Sequence, residues 1–314
     1  MSTLYIDHKD ARIRVADRRL LVEAGKRTVN SFPLGLLERI VIQQNVETST
    51  AALSRLADAG ITVHIVYGRV PRLASLNGVP GNDARRRLVQ YHVSLDGSRC
   101  ACLACDVLRY KLLAQYRLIL KLLKARPDKR HALTKSKTQI RDIRQALEES
   151  NHPLSSLRGM EGAASAACFS ALKEVLPPEL EFNRRLRRPP PDPVNAVLSL
   201  AYTLAYSLAL ETAYTAGLDP AIGFLHEPSH GRYSLASDLM EPLRPRIDEW
   251  VWKLFRDRRL RKQHFSQDEQ GCRLGKAGRG EFYTAWRIQE QRYRRLLKRL
   301  TMITVRRLEE LKGE

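Results

Sequence analysis

The stretch that most restricts the fold is VNAVLSLAYTLAYSLAL, from Val194 to Leu210. Wound as a helix it is apolar around its whole circumference, and such a helix is stable in water only when other elements surround it. It falls short of the ~20 residues that span a bilayer, and it carries Asn195 and several hydroxyl side chains. It therefore predicts the central helix of a bundle, with Pro193 as first-turn residue after the breaker RRPPPDP.

The neighbours for such a helix are present. Helical periodicity runs through residues 103–125, 133–150, 155–176, 194–217, 234–255 and 281–311, and nothing after about residue 80 resembles a strand. SQDEQGCRLGKAGRG reads as a Gly-rich basic loop before the last helix. Earlier in the chain TLYIDHK, ARIRVA, RLLVEAG, RIVIQQ and ITVHIVY alternate or cluster β-branched residues as strands do. STAALSRLADAG reads as one helix, capped by Ser49 or Thr50 and ended by Gly60. The expected architecture is two-domain. A small, mainly antiparallel N-terminal β domain covers residues 1–80, and a linker at 81–88 follows the turn-rich NGVPGND. A larger all-α helical domain over 89–314 carries the chemistry.

Lys and Arg number 54 against 34 Asp and Glu, a formal net charge of +20. That excess points to a polyanionic partner: DNA, RNA or an anionic membrane face. MSTLYIDHKD has no apolar leader core, and the five cysteines are an odd number. Both features favour a reducing, cytoplasmic setting. CACLAC invites a zinc reading, but no second ligand pair follows at finger spacing, so it reads as small buried positions of a helix.

Two stretches carry candidate chemistry. In GMEGAASAACFSALKEVL, helical winding puts Glu161 on the same face as Ala164, Cys168, Leu172 and Val175. A carboxylate on an apolar stripe needs a partner or a metal, although a first-turn acid near a helix N-terminus explains it as well. In GFLHEPSHGRYSLASDLMEPLRPRIDEW, Asp238 and Glu241 share a face of a helix for which Ser234 is a plausible N-cap, and His226 precedes it. Two acids and an imidazole form a ligand set for Mg²⁺ or Mn²⁺. The same acids also read as a solvated face, and His226 as a core histidine. His230 and Glu227 read as surface residues. Arg244, between two prolines, reads as a phosphate clamp or, preferably, as a holder of a carboxylate.

GMEGAASAACF, RRPPPDPVNAVLSLAYTL, GFLHEPSHGRYSLASDLMEPLRPRID and GCRLGKAGRGEFYTAW together resemble the Cas-one family, the CRISPR-associated integrase and DNA endonuclease of spacer acquisition. The resemblance spans nearly the whole chain. It implies a site of Glu161, His226, Asp238 and Glu241, with Glu161, His226 and Glu241 as metal ligands and Asp238 either a ligand or acting through water. It implies Asn195 as a structural or supporting residue. It also implies attack of a DNA 3′-hydroxyl on a phosphodiester of the CRISPR repeat, with hydrolysis and branched-DNA cleavage at the same site. The implied partners are protospacer and repeat DNA, a second copy through the β domain, and a small Cas-two protein in a heterohexamer, with no membrane. Cys168 departs from the family's usual aromatic.

FRDRRLRKQHF and RIQEQRYRRLLKRL then supply arginines, with Phe265, Trp286 and Tyr293 nearby. Arg188, Arg232, Arg244, Arg258, Arg259, Arg261 and Lys262 are the expected phosphate contacts. The rival reading is a non-catalytic basic scaffold that binds nucleic acid by charge alone.

Overall fold

The computed structural model describes residues 2–8, 10–24, 27–42, 45–67, 72–76, 83–149, 151–187 and 189–312. The chain divides into two compact units, Met1–Asn82 and Asp83–Glu314.

The first unit is strand-rich. Its elements are β1 (Ser2–Ile6), β2 (Ala11–Ala16), β3 (Arg19–Ala24), β4 (Arg27–Pro33), β5 (Leu37–Ile42), β6 (Val46–Thr48), α1 (Thr50–Asp58), β7 (Thr62–Tyr67) and β8 (Arg72–Leu76). They form two four-stranded sheets, in the orders β1-β5-β7-β8 and β4-β3-β2-β6. Alternation sets the inward face: Ala11, Ile13 and Val15 of β2 are buried while Arg12 and Arg14 face out. Ile6, Ile13, Leu20, Ile40 and Val63 form one core with Leu56 of α1. Ser49 caps α1, accepting the Ala52 N–H at 3.1 Å, and Gly60 leaves it at φ +71°.

Pairing in this unit is mixed rather than mainly antiparallel. The β2–β3–β4 meander and β7–β8 are antiparallel. β1–β5, β5–β7 and β2–β6 are parallel. Connection length explains the difference. Short turns return the chain antiparallel, whereas α1 carries it back over the sheet between β5 and β7, and three strands intervene between β1 and β5.

The second unit is largely helical: α2 (Ala84–Leu95), α3 (Gly97–Ala125), α4 (Arg130–Glu149), α5 (Leu154–Val175), α6 (Pro193–Thr215), α7 (Ser234–Met240), α8 (Arg244–Arg256) and α9 (Lys276–Lys312). The apolar α6 is the hub. Val197, Leu198, Ala201, Leu204, Ala205 and Leu208 are buried, and it packs against α7, α8 and α9. It is long and apolar enough to cross a membrane, but most of it is covered by the surrounding protein. Asp192 caps it, accepting the Asn195 N–H at 2.8 Å, and Pro193 opens its first turn.

Four expectations change here. Residues 84–88 are not linker but the start of α2, because Asp83 caps a helix by accepting the Arg86 N–H at 3.2 Å. The Gly-rich loop contains a hairpin of β9 (Phe265–Asp268) and β10 (Gly271–Leu274), so this unit is not purely helical. Gly271 has φ +107°, and a Cβ there would stand 2.7 Å from the Pro190 carbonyl oxygen, so only glycine fits. The single helix expected over 234–255 is two helices, because Pro242 and Pro245 interrupt it. Nor does Ser234 cap α7; its hydroxyl donates to the Glu227 carbonyl at 2.8 Å.

Candidate active site

Two helices and one loop bring the candidate residues together. Glu161 lies on α5, with Ala164, Cys168, Leu172 and Val175 buried along the same face. His226 lies in the loop between α6 and α7. Asp238 is inside α7, and Glu241 sits at its end, where the chain breaks before Pro242. Asp238 and Glu241 are 1% and 2% exposed, so the solvated-face reading does not hold for them.

Asp238 organises the loop. Its Oδ2 accepts the backbone N–H of Phe224 at 2.6 Å and of Leu225 at 3.1 Å. Its Oδ1 accepts the backbone N–H of His226 at 3.1 Å and stands 2.6 Å from His226 Nδ1. A carboxylate has about four acceptor positions, and all four are taken. Asp238 is therefore not placed to be a direct ligand. It fixes the imidazole with Nδ1 as the donor and leaves the Nε2 lone pair facing the site. Gly223 permits this approach. A Cβ there would lie 2.7 Å from the Ser234 carbonyl carbon and 2.8 Å from Asp238 Oδ2.

Glu241 is held from two sides. Arg244 Nε donates to Oε1 at 2.8 Å, and Lys111 Nζ donates to Oε2 at 2.5 Å. His226 Nε2 stands 3.8 Å from Oε1. Burial alone would raise the Glu241 carboxyl; Arg244 and Lys111 outweigh it and hold it well below the usual carboxylate range. Lys111 also donates to Glu161 Oε1, which accepts the Ser165 hydroxyl at 2.9 Å. Arg244 thus acts as the holder of a carboxylate, with its guanidinium 4.8 Å over the Tyr202 ring.

Sequence reasoning missed Lys111. The signal was available: Lys111 falls on the stripe of Ala104, Leu108, Gln115, Leu118 and Leu122, the buried face of α3. It also missed Arg158, one turn before Glu161, which donates to the Leu225 carbonyl at 2.8 Å and pairs with Glu227. Behind the site, the Tyr202 hydroxyl donates to Asp248. Burial pushes the Asp248 carboxyl up to about 6, although Tyr202, Arg244 and Arg185 pull it down. Asn195 is structural: its side chain binds Asp192, the Arg184 carbonyl and the Leu186 N–H.

The remaining expectations divide. Arg232, Arg258, Arg259, Arg261 and Lys262 are exposed, with Lys262 paired to Glu181 at 2.7 Å and Arg259 near Glu281 at 3.7 Å. Arg188 lies outside the described residues. His230 is an exposed turn residue. Trp286 and Tyr293 are core, not surface stacking platforms. They are 0% and 4% exposed and pack in a cluster with Trp250 and Phe282 at centroid distances of 5.3–6.0 Å. The CACLAC cysteines lie on α3 as free thiols.

The donor set suits a hard divalent cation: two carboxylates and one imidazole nitrogen oriented by a third carboxylate. It is not a closed cage. Among the described residues no three His, Cys, Asp or Glu side chains already converge as metal ligands, and a lysine ammonium stands between the two glutamates.

The sequence profile described as CRISPR associated protein Cas1 matches residues 4–287. A relative from Thermodesulfovibrio yellowstonii, the CRISPR-associated endonuclease Cas1 1, is 37% identical over 299 residues, covering 93% of each chain. Two solved structures share the fold. One is a casposase bound to integration product, with TM-score 0.76, 20% identity, and coverage of 96% of this chain and 91% of that one. The other is a chain of a Cas6-RT-Cas1–Cas2 complex, with TM-score 0.84, 21% identity, and coverage of 99% and 35%. With the strand-rich first unit, the helical second unit and this profile match over most of its length, the chain belongs to the Cas1 family of CRISPR-associated proteins.

Proposed function

We propose that the protein is a metal-dependent DNA endonuclease and integrase of CRISPR spacer acquisition. The observation that carries this reading is that Glu161 and Glu241 share the Lys111 ammonium while His226 Nε2 stands 3.8 Å from Glu241 Oε1. Glu161, Glu241 and His226 would hold Mg²⁺ or Mn²⁺. When bound, such an ion activates an attacking oxygen and stabilises charge on a phosphodiester. The chain's own residues do the rest. Asp238 holds the imidazole in one tautomer. Arg244 orients the Glu241 carboxylate. Arg158 ties the His226 loop to the helix bearing Glu161. No side chain here is needed as nucleophile, so a DNA 3′-hydroxyl gives joining to a repeat phosphodiester, and water gives cleavage.

The exposed cations Arg232, Arg258, Arg259, Arg261 and Lys262 suit phosphate contacts with protospacer, repeat and branched DNA. Arg188 is expected to make the same kind of contact on sequence alone. A second copy joined through the strand-rich unit, and a small Cas2-type partner, complete the assembly; the Cas6-RT-Cas1–Cas2 relative supports the partner. The rival reading, a non-catalytic basic scaffold, draws support from Lys111 standing between the acids.

Incubation with branched DNA and Mn²⁺ or Mg²⁺, with and without chelator, separates the two. Glu161→Ala and His226→Ala are expected to lose cleavage by about 100-fold or more. Equal cleavage by wild type and both variants would sink the enzymatic reading.

A further inference from the structure

Lys111 is 2% exposed, on the inner face of α3 between Leu108 and Gln115. A buried ammonium is costly unless its protons are met by acceptors. Two of them are met by carboxylates from different helices, Glu161 of α5 and Glu241 at the end of α7. Those carboxylates are the pair to which the proposed function assigns a divalent cation. Without a cation between them, two neighbouring carboxylates repel each other. Lys111 removes that obstacle inside the polypeptide itself. Glu161 and Glu241 carry two negative charges, and Lys111 and Arg244, both in contact with Glu241, carry two positive ones.

We propose that Lys111 is the built-in counter-ion of this site: its ammonium holds Glu161 and Glu241 together in the metal-free protein and competes with a divalent cation for the same oxygens. The inference rests on the proposed ligand role of the two glutamates. It follows that metal enters a cluster that is already neutralised, so intrinsic metal affinity is weaker than three protein donors would otherwise give. Removing the ammonium then has two opposite effects. The metal-free protein loses stability, because two close carboxylates are left with Arg244 on Glu241 and no ammonium between them. The metal-bound protein gains, because no internal cation has to move.

The test compares wild type with Lys111→Met in two measurements on the full chain. Thermal melts in excess chelator are expected to place K111M about 5 °C or more below wild type. Titration with Mn²⁺, read as free Mn²⁺ by electron paramagnetic resonance, is expected to show at least about tenfold tighter binding by K111M. Should K111M fail to fold, Lys111→Gln, which still donates one hydrogen bond without the charge, carries the same comparison. Equal or weaker Mn²⁺ binding by the variant overturns the proposal, and so does an unchanged melting point in chelator. Absence of Mn²⁺ binding in both proteins counts against the metal reading instead. The chelator melts then decide for or against the counter-ion alone.

Discussion

His226 Nδ1 lies 2.6 Å from Asp238 Oδ1, and the same carboxylate gathers the backbone N–H groups of residues 224 to 226. One buried acid thus sets both the path of the loop and the direction of the ring. Asp238→Asn replaces two acceptor positions with an NH₂ that faces donors. We expect a stability loss of about 2–4 kcal/mol. Metal-dependent DNA cleavage should fall by about 10–100-fold. Chemical denaturation and a cleavage assay check the two effects, and a variant indistinguishable from wild type in both contradicts this role.

Gly223→Ala asks the same question through the backbone. The added methyl would lie 2.7 Å from the Ser234 carbonyl carbon and 2.8 Å from Asp238 Oδ2, neither of which is a flexible chain end. The loop must move off α7, at about 1–3 kcal/mol. Weaker Mn²⁺ binding should accompany it, measured by titration. Tight binding with wild-type melting would show that the loop does not position His226.

Asp248 makes an unusual pH prediction. Its folded carboxyl is raised from 3.8 to about 6 by burial, so the folded chain holds this proton more tightly than the unfolded chain. Between those values the native state binds more protons, and stability must fall as pH rises. The stabilisation from this group is present below pH ~4 and lost as pH passes ~6, the reverse of a salt-bridged acid. A shift of about two units corresponds to about 3 kcal/mol. Relative to Asp248→Asn, wild type should lose roughly that amount between pH 4 and pH 7 in urea unfolding. Parallel pH profiles for the two proteins would refute it.

Aromatic and basic residues of the C-terminal segments should separate cleanly. Trp286→Ala opens the core cluster and should cost about 3–5 kcal/mol. A triple change of Arg258, Arg259 and Lys262 to Ser touches only exposed side chains and should alter stability by no more than about 1 kcal/mol. It should weaken DNA binding and reduce the slope of its salt dependence by about 0.9 for each phosphate that is no longer neutralised. An unchanged salt slope would remove this face from the DNA interface.

How much was legible depended on pattern length. The 23-residue α6 announced itself because a helix apolar on all sides has to be surrounded. Glu161, His226 and Glu241 were visible as polar residues in apolar surroundings within distinctive motifs. Lys111 obeyed the same logic and was passed over, since a lysine on a helix usually reaches solvent along its own stem. The β9–β10 strands are four residues each, too short for alternation to register. The parallel pairings depended on non-local contacts that no local pattern encodes. All of α2 was missed, because its arginine run hid the apolar period and its only other helical sign was the Asp83 cap.

Lys111, Glu161 and Glu241 come from separate stretches of chain. Lys111 is 50 positions from Glu161 and 130 from Glu241. They meet only when α3, α5 and α7 have packed. A chain still emerging from the ribosome, or one partly melted, therefore carries scattered acids and no reactive centre. A protein proposed to open DNA strands is safest when its danger to the genome is conditional on a finished fold, and here tertiary assembly itself is the safety catch.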